Sequence, residues 1–435
     1  MSGAHHLRTR QARLLVALIV VGIAVATGWF AFGGDWSPLR AIGVPIEDRP
    51  FGDARTISGA GEALQRGLDP LVANPGDPWG RPMDYPRAWL VFAGMGLGPD
   101  RTWMLAAVFF AVAAAGAFAL CRLVEDRLGA ALLALGLLAP TTWLALERAN
   151  NDLLMFGLCC LAAVFAARRL AAASALVAGA ALLKLYPIAG AAALLRPGRA
   201  ASCRWLVPLL LLFALYAGVT FDDIVLMQRG ATRAEFLSYG ADIVPRWLGK
   251  NTPLGPHIWL AVADGLLLAV LLIGLSWRTQ TRLGAGDPTP ALAGFRLGAA
   301  IYLGTFVFGS NFDYRLLFLL PALPQLARWS QTTRGAVRAT AIAAIATILL
   351  LLWSQSWRAL LQPSTGRTLM LAADELLAWS TWIALALLFA LTLPEWLMPA
   401  RRRGAGLADA AGTADERPAL DRHAASGPRR RRSAG

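Results

Sequence analysis

A carboxylate in a long polar segment is the first group in this sequence that could act as a base. Asp53 begins a stretch, D-A-R-T-I-S-G-A-G-E, with the pattern of a short amphipathic helix that ends near Gly67 and Asp69. Such a helix would hold the carboxylate in a fixed position, where it could accept a proton from a reacting hydroxyl group. The alternative is that Asp53 only caps the helix.

Three cations interrupt apolar stretches and could bind an anion. Lys184, in K-L-Y-P, is one of only two lysines among the 41 basic residues. Arg148 lies in the turn E-R-A-N-N-D, and Arg315 lies in N-F-D-Y-R. A cation at such a place needs a negative partner, so the three residues predict a site for an anion such as a lipid phosphate. Alternatively, Lys184 and Arg148 extend to the headgroups and Arg315 pairs with Asp313.

Polar residues close to these charges or in neighbouring loops complete the candidate site. They are Tyr85, Asn151, Asp152, Tyr186, Asn251 and Asp313. Asp152 could instead cap the helix that follows it. The adjacent Asp222 and Asp223 do not form the carboxylate cluster that a hard cation requires, so no metal ion and no other cofactor is predicted.

Membrane helices must position these groups. The 435-residue chain has 57% hydrophobic residues, a mean hydropathy of +0.52 and repeated apolar runs, which predict an all-α integral membrane protein. Its net charge of +14 comes from arginines in short loops and in the C-terminal tail. This distribution is typical of membrane topology rather than of nucleic-acid binding, so no nucleic-acid partner is expected.

About twelve apolar runs predict membrane spans. They lie near 14–32, 102–120, 128–146, 151–167, 170–183, 186–195, 205–220, 257–276, 295–308, 314–327, 339–354 and 376–393. The fifth and sixth runs are short and meet at Lys184 and Pro187, which predicts either a broken hairpin or two crossings. A thirteenth run, 86–98, is also short. If it does not cross, the arginine-rich loops all lie on one side, as the positive-inside rule requires, and we therefore predict that it does not cross.

The spans divide the chain into three parts. Residues 1–13 are predicted to be a cytoplasmic N-terminus, 14–393 a transmembrane domain, and 394–435 a disordered, basic cytoplasmic tail that binds anionic membrane lipids. Within the domain, 33–101 and 221–256 form large extracytoplasmic loops, the first with short amphipathic helices. We therefore expect a multi-pass protein of the cell membrane with its candidate site on the extracytoplasmic face.

Several short motifs resemble those of one family of membrane enzymes. They are Asp53 in the long first loop, G-x-D-P at 67–70, Y-P at 85–86, N-N-D at 150–152, K-x-Y-P at 184–187, G-x-N-x-x-L at 249–254 and D-Y-R-L-L at 313–317. The chain resembles, over most of 14–393, the polyprenyl-phosphate-sugar-dependent glycosyltransferases of the GT-C superfold. It is most similar to the bacterial α-1,2-mannosyltransferases that extend lipid-linked mannosides.

The resemblance implies a fold, a reaction and a role for each candidate residue. The fold would be a GT-C-like bundle of about twelve transmembrane helices. The reaction would transfer a sugar from a polyprenyl-phosphate donor to a lipid-linked or glycan acceptor, with inversion at the anomeric carbon. The sugar would be mannose, as in the family that the chain resembles. Asp53 would be the base. The donor phosphate would bind Lys184, Arg148 and Arg315. The substrates would contact Asn151, Asp152, Tyr186, Asn251, Asp313 and Tyr85.

Three other functions remain open at this point. About twelve spans is also a common number in transporters of lipids or small polar solutes, although no internal repeat is visible. A polymerase or ligase of surface glycans would share the topology but would place its chemistry in a later outer loop. A non-catalytic scaffold would not need cations at several helix ends on one level.

Overall fold

The computed structural model describes residues 3–230, 237–283, 286, 288–308 and 311–397, and most of this part of the chain is helical. Its α-helices are α1 Gly3–Gly33, α2 Gly52–Gln65, α3 Leu90–Gly94, α4 Thr102–Leu120, α5 Arg127–Leu137, α6 Pro140–Arg148, α7 Asp152–Ala166, α8 Leu170–Leu183, α9 Arg199–Val219, α10 Phe221–Gly230, α11 Ile243–Asn251, α12 Pro256–Gln280, α13 Pro290–Val307, α14 Leu323–Thr332, α15 Gly335–Leu352, α16 Ser354–Thr365 and α17 Arg367–Thr392. Of the predicted tail, residues 398–435 lie outside the described residues.

Short 3₁₀ helices and one strand pair complete the fold. The 3₁₀ helices are Ser37–Ile42, Arg87–Trp89, Pro99–Arg101, Cys121–Leu123, Tyr186–Leu194, Asp313–Ala322 and Glu395–Leu397. Strands β1 (Ser238–Tyr239) and β2 (Asn311–Phe312) pair antiparallel, with Ser238 opposite Phe312. This pair joins the loop after α10 to the loop after α13.

Seven helices of the described chain are long and apolar enough to cross a membrane, or eight if the bent pair α5 and α6 is one span. The seven are α1, α4, α9, α12, α13, α15 and α17, and α5 meets α6 at 45°. The apolar helices α7 and α8 are shorter. The chain is therefore a helical protein with several membrane-spanning helices, and the count of about twelve stays a prediction.

Two local predictions are confirmed. Residues 86–98 form only the 3₁₀ turn Arg87–Trp89 and the five-residue α3, which are too short to cross a hydrocarbon layer of about 30 Å. The chain also breaks at Lys184, because α8 ends at Leu183 and a 3₁₀ helix begins at Tyr186.

The predicted site residues that lie near the ends of helices are found at one end of the helix bundle, which we call the site end. At this end the helices α1, α6, α8, α9, α13 and α15 finish, and the helices α4, α7, α12 and α17 begin. Segment 34–101 covers it: the Glu47 amide donates to the Glu147 carboxylate at 3.0 Å, and the Trp89 indole donates to the Leu183 carbonyl at 2.8 Å. Loop residues far apart in sequence therefore meet over the helix ends.

Arginines at the opposite end bind backbone carbonyls. Arg13 donates to the Val124 carbonyl at 3.0 Å, and Arg278 donates to the Leu393 carbonyl at 2.7 Å. Such contacts satisfy carbonyls that have no partner within the segment. This arginine-rich end is the one predicted to face the cytosol, and its side of the membrane stays a prediction.

Helices α4 and α7 approach closely through two glycines. A Cβ on Gly157 would lie 2.2 Å from the Val112 carbonyl oxygen, and one on Gly116 would lie 2.4 Å from the Gly157 Cα. Small residues permit this kind of contact between membrane helices. The contact fixes the start of α7, which carries Asp152 at the site end.

Replacing Gly157 by alanine is expected to destabilise the protein by about 1–3 kcal/mol, because the added methyl group would overlap the backbone of α4. Thermal unfolding in detergent measures the loss. The matched control is Gly179→Ala in α8, where a Cβ would meet no atom within 4 Å. This control should unfold at or slightly above the wild-type temperature. Equal midpoints for the two variants would contradict the proposed contact.

Candidate active site

A cavity of about 360 Å³ opens at the site end between segment 34–101 and the helix ends. Several of its walls are charged, and it spans parts of the chain that are far apart in sequence. It is lined by Glu47, Asp53, Thr56, Trp79, Arg81, Pro82, Asp84, Tyr85, Leu144, Arg148, Gly230, Leu237, Phe312 and Tyr314. We call this the polar cavity.

Asp53 lies in the first turn of α2 and faces the polar cavity. Its carboxylate accepts hydrogen bonds from the Asn150 amide at 2.6 Å and from the Arg81 guanidinium at 3.3 Å. The residue that caps α2 is Phe51, and it makes no side-chain capping bond. The alternative that Asp53 is only a helix cap is therefore wrong, because its carboxylate binds groups outside the helix.

Arg81 is fixed beside Asp53 by several acceptors. It donates to the Gly52 carbonyl at 2.6 Å, to the Thr56 hydroxyl at 2.9 Å and to the Asp77 carboxylate at 2.9 Å. Asp77 is buried, so this pair holds the guanidinium whether or not Asp53 is charged. No sequence motif includes Arg81, which lies three residues before Asp84 in the same loop.

The N-N-D motif connects Asp53 to a second charged cluster. Asn150 donates to Asp53 and accepts a hydrogen bond from the Asp152 backbone amide at 2.8 Å. Asn151 accepts from the Lys184 ammonium at 2.6 Å. Each residue of the motif thus holds a different partner, and all three are buried.

Asp152 binds both of the predicted cations that come from later helices. Its carboxylate contacts the Lys184 ammonium at 2.5 Å, the Arg315 guanidinium at 3.1 Å and the Tyr186 hydroxyl at 2.6 Å. Two cations on one carboxylate leave a net charge of +1 in this cluster. The alternatives of a capping Asp152 and of a Lys184 that extends to the headgroups are wrong, because both side chains are buried in this contact.

Each of these cations lies against an aromatic ring. The Lys184 ammonium lies 5.0 Å from the centre of the Tyr85 ring, which lines the cavity, and Arg315 lies 4.8 Å from the Tyr186 ring. Neither Lys184 nor Arg315 is a lining residue. Their charge would therefore act on a ligand in the polar cavity from a distance rather than by contact.

Arg148 lines the cavity and is paired with two acids. Its guanidinium contacts the Glu47 carboxylate and lies 3.0 Å from the carboxylate of Glu147, which is 1% exposed. The alternative that Arg148 extends to the headgroups is wrong, since its side chain is only 16% exposed. No sequence pattern distinguishes Glu47 from the other eight acids of segment 33–101.

Two predicted site residues belong neither to the lining of the polar cavity nor to the cluster around Asp152. The buried Asp313 pairs with Arg358 at 2.5 Å, and Arg358 also contacts Asp374 at 2.6 Å. The alternative pair of Asp313 with Arg315 is therefore wrong. Asn251 is exposed and donates to the Trp247 carbonyl of its own helix at 2.7 Å, so the structure does not bring it to the cavity.

Backbone strain is concentrated around the site. Among described residues other than glycine, positive φ angles occur at Phe51 (66°), Ala149 (42°) and Leu237 (59°). Phe51 and Ala149 precede Asp53 and Asn150 closely, and Leu237 lines the cavity. Such conformations are costly for residues with a Cβ and persist mainly where function requires the geometry.

Burial controls the protonation of the two aspartates in the cavity. It is the main reason why the pKa of Asp53 is raised, against the Asn150 hydrogen bond and the charges of Arg81 and Lys184. Burial also raises the pKa of Asp84 to about 6, where Lys184 opposes the shift and Asp53 adds to it. An aspartate with a raised pKa is closer to neutral pH, as a general base should be.

The raised pKa of Asp84 predicts a loss of stability as pH rises. A carboxyl that holds its proton more tightly when folded stabilises the protein below its unfolded pKa, and this contribution disappears as pH rises through about 6. From pH 5 to pH 8 we expect a loss of about 1 kcal/mol, after allowance for water in the cavity. Unfolding midpoints measured over this range should fall more for wild type than for Asp84→Asn. Parallel curves would contradict the assignment.

These features define a helical, multi-pass membrane protein with a charged cavity at one end of its bundle. The chain matches no protein-family model and no curated protein. Among the described residues, no three His, Cys, Asp or Glu side chains are grouped so that they could hold a metal ion.

Proposed function

We propose that this protein transfers a sugar from a polyprenyl-phosphate donor to a hydroxyl group of a glycolipid or glycan acceptor, with Asp53 as the base. The reaction takes place at the site end, on the extracytoplasmic face of the membrane. The fold would be a GT-C-like bundle with about twelve spans, as the sequence motifs suggest. The sugar is a hexose, mannose by resemblance.

The observation that carries the proposal is the N-N-D motif, which links a candidate base to a surplus of positive charge. Asn150 holds Asp53, and Asp152 two residues later holds Lys184 and Arg315. A transfer from a phosphate needs both groups: a carboxylate that takes the acceptor proton, and fixed positive charge where the leaving phosphate gains negative charge.

The positive charges near the cavity fall into two groups. Arg81 and Arg148 line it and can contact a phosphate. Lys184 lies behind Tyr85 and, with Arg315 and Asp152, forms a cluster with a net charge of +1. The acceptor oxygen attacks the anomeric carbon as Asp53 takes its proton, and the bond from that carbon to the phosphate oxygen breaks. A single displacement of this kind inverts the anomeric centre. The leaving phosphate needs no proton, so no general acid is required.

An apolar cavity next to the site supports a lipid-linked donor. It has a volume of about 290 Å³ and lies among α1, α4, α5, α6 and α7. Leu146 of α6 lines this apolar cavity, and Leu144 and Arg148 of the same helix line the polar one. A prenyl chain could lie in the first while its phosphate and sugar occupy the second.

The proposal is tested with purified protein in nanodiscs, supplied with radiolabelled polyprenyl-phosphate sugars and with membrane lipids as acceptors. The expected result is label in the acceptor fraction with inverted anomeric configuration. The same protein in sealed vesicles tests the alternative of a transporter. Solute or lipid flux without any transfer from the full set of donors would contradict the proposal. Long polymers instead of single additions would favour a glycan polymerase or ligase.

A further inference from the structure

A second apolar cavity lies at the site end, away from the polar one. Its volume is about 460 Å³, it lies among α11, α12 and α17, and it shares no lining residue with the polar cavity. Three tryptophans, Trp247, Trp259 and Trp379, contribute to its walls. Tryptophans of membrane proteins concentrate at the level of the lipid headgroups. We call this the tryptophan cavity.

One acidic side chain lines the tryptophan cavity. Glu375 is 2% exposed, and neither of its carboxylate oxygens has a hydrogen-bond partner among the described residues. It lies eight residues into α17 (Arg367–Thr392), about 12 Å from the start of that helix. A buried acid without a partner is costly inside a membrane helix, so it persists where a ligand or a function uses it.

Among the described residues, no cation makes a hydrogen bond with Glu375. Arg358 is shared between Asp313 and Asp374 at 2.5 and 2.6 Å. Arg246, whose charge acts on Glu375 from a distance, is paired with Asp242 at 3.2 Å, one turn earlier. Both of these arginines are thus already bound to other acids. A ligand that pairs with the Glu375 carboxylate should be positively charged.

We propose that the tryptophan cavity binds an amphiphile with an ammonium headgroup, whose alkyl chain fills the apolar walls and whose ammonium pairs with Glu375. Trp379 follows Glu375 by four residues and therefore lies on the same face of α17. Tryptophan faces attract ammonium groups, and together with a carboxylate they form a typical ammonium site. Among the residues that the structure describes, no lysine or arginine lines the cavity, so a lipid phosphate would be repelled by Glu375 there. Glu375 takes no part in the proposed transfer reaction.

The test uses the full-length protein in nanodiscs of phosphatidylglycerol, which has no amine. The probe is dodecylamine with a photoreactive diazirine in its chain, and dodecanol with the same diazirine is its neutral counterpart. After illumination, mass spectrometry measures label on α11, α12 and α17 relative to label on α15, which does not line the cavity.

The amine should label these three helices of wild type roughly tenfold more than those of Glu375→Gln, which keeps the shape of the side chain and removes the charge. Asp264→Asn is the matched control, because Asp264 is exposed on α12 and does not line the cavity. It should label like wild type. Ala372→Phe, which fills the cavity and keeps Glu375, should also reduce labelling.

Three results would overturn the proposal. Equal labelling of wild type and Glu375→Gln by the amine would show that the carboxylate does not bind it. Stronger labelling by dodecanol than by the amine would indicate a neutral hydroxyl ligand instead. Labelling that persists in Ala372→Phe would place the probe outside the cavity. Because this last variant keeps Glu375, it tests the site even if Glu375→Gln folds poorly.

Discussion

Sugar transfer by Asp53→Asn is expected to be about a hundred to ten thousand times slower than transfer by wild type. An asparagine occupies the same space but cannot accept the proton that the acceptor hydroxyl loses as it attacks. Arg81 keeps its bonds to Gly52, Thr56 and Asp77, so the cavity should keep its shape. Single-turnover transfer from a radiolabelled donor measures the loss, and binding of the donor should change little.

Two further variants give this result its meaning. Asp48→Asn changes an exposed acid of the same loop that does not line the cavity, and it should transfer at the wild-type rate. Asp84→Asn removes the other aspartate of the cavity and should slow transfer less than Asp53→Asn. If Asp84→Asn abolishes transfer and Asp53→Asn does not, the base is Asp84. If neither variant slows transfer, the reaction does not use a carboxylate of this cavity.

Sequence patterns depend on residues that are close together in the chain, and this explains which parts of the site could be predicted. The amphipathic stretch after Asp53 predicts a helix that begins and ends close to the observed α2, since local composition determines it. The polar turns N-N-D and K-L-Y-P stand out because they interrupt apolar runs, and they contain Asp152 and Lys184. The structure brings these two residues together at 2.5 Å.

The partners of the predicted residues could not be found in the same way. Arg81 and Glu47 lie in a loop without periodicity, and Arg358 lies in an amphipathic helix among other polar residues. Nothing in one sequence shows that Glu47 meets Arg148, about a hundred positions later, or that Arg358 takes Asp313 from Arg315. Such pairs depend on how the helices pack, which periodicity alone does not fix.

The number of spans was difficult to predict for a related reason. Hydropathy reports apolar runs, whereas a crossing also depends on helix type and on bends. The runs at 186–195 and 314–327 fold wholly or partly as 3₁₀ helices with proline, and the run at 128–146 bends by 45° between α5 and α6. Segments of this kind are tolerated at membrane depth where protein covers them.

The substitution Asp152→Asn is expected to lower the free energy of unfolding strongly. Asp152 is fully buried and is the carboxylate that contacts both Lys184 and Arg315, so its loss leaves two largely buried cations without the acid that binds them. Breaking a buried ion pair in this way costs about 3–5 kcal/mol. The matched control is Asp69→Asn, which removes a 37% exposed acid whose partner Arg87 keeps Asp223. The control should lose less than about 1 kcal/mol.

A double variant separates charge from packing at Asp152. Replacing Lys184 by methionine in the Asp152→Asn background removes one of the two unpaired cations, so the double variant should be more stable than Asp152→Asn alone. Denaturant unfolding in mixed micelles gives the free energies of unfolding for wild type, Asp152→Asn, Lys184→Met and the double variant. If the losses of the two single changes simply add, Asp152 acts through shape. If Asp152→Asn is as stable as Asp69→Asn, the ion pairs of Asp152 do not stabilise the site. Asp152 would then not hold in place the positive charges that are proposed to stabilise the leaving phosphate.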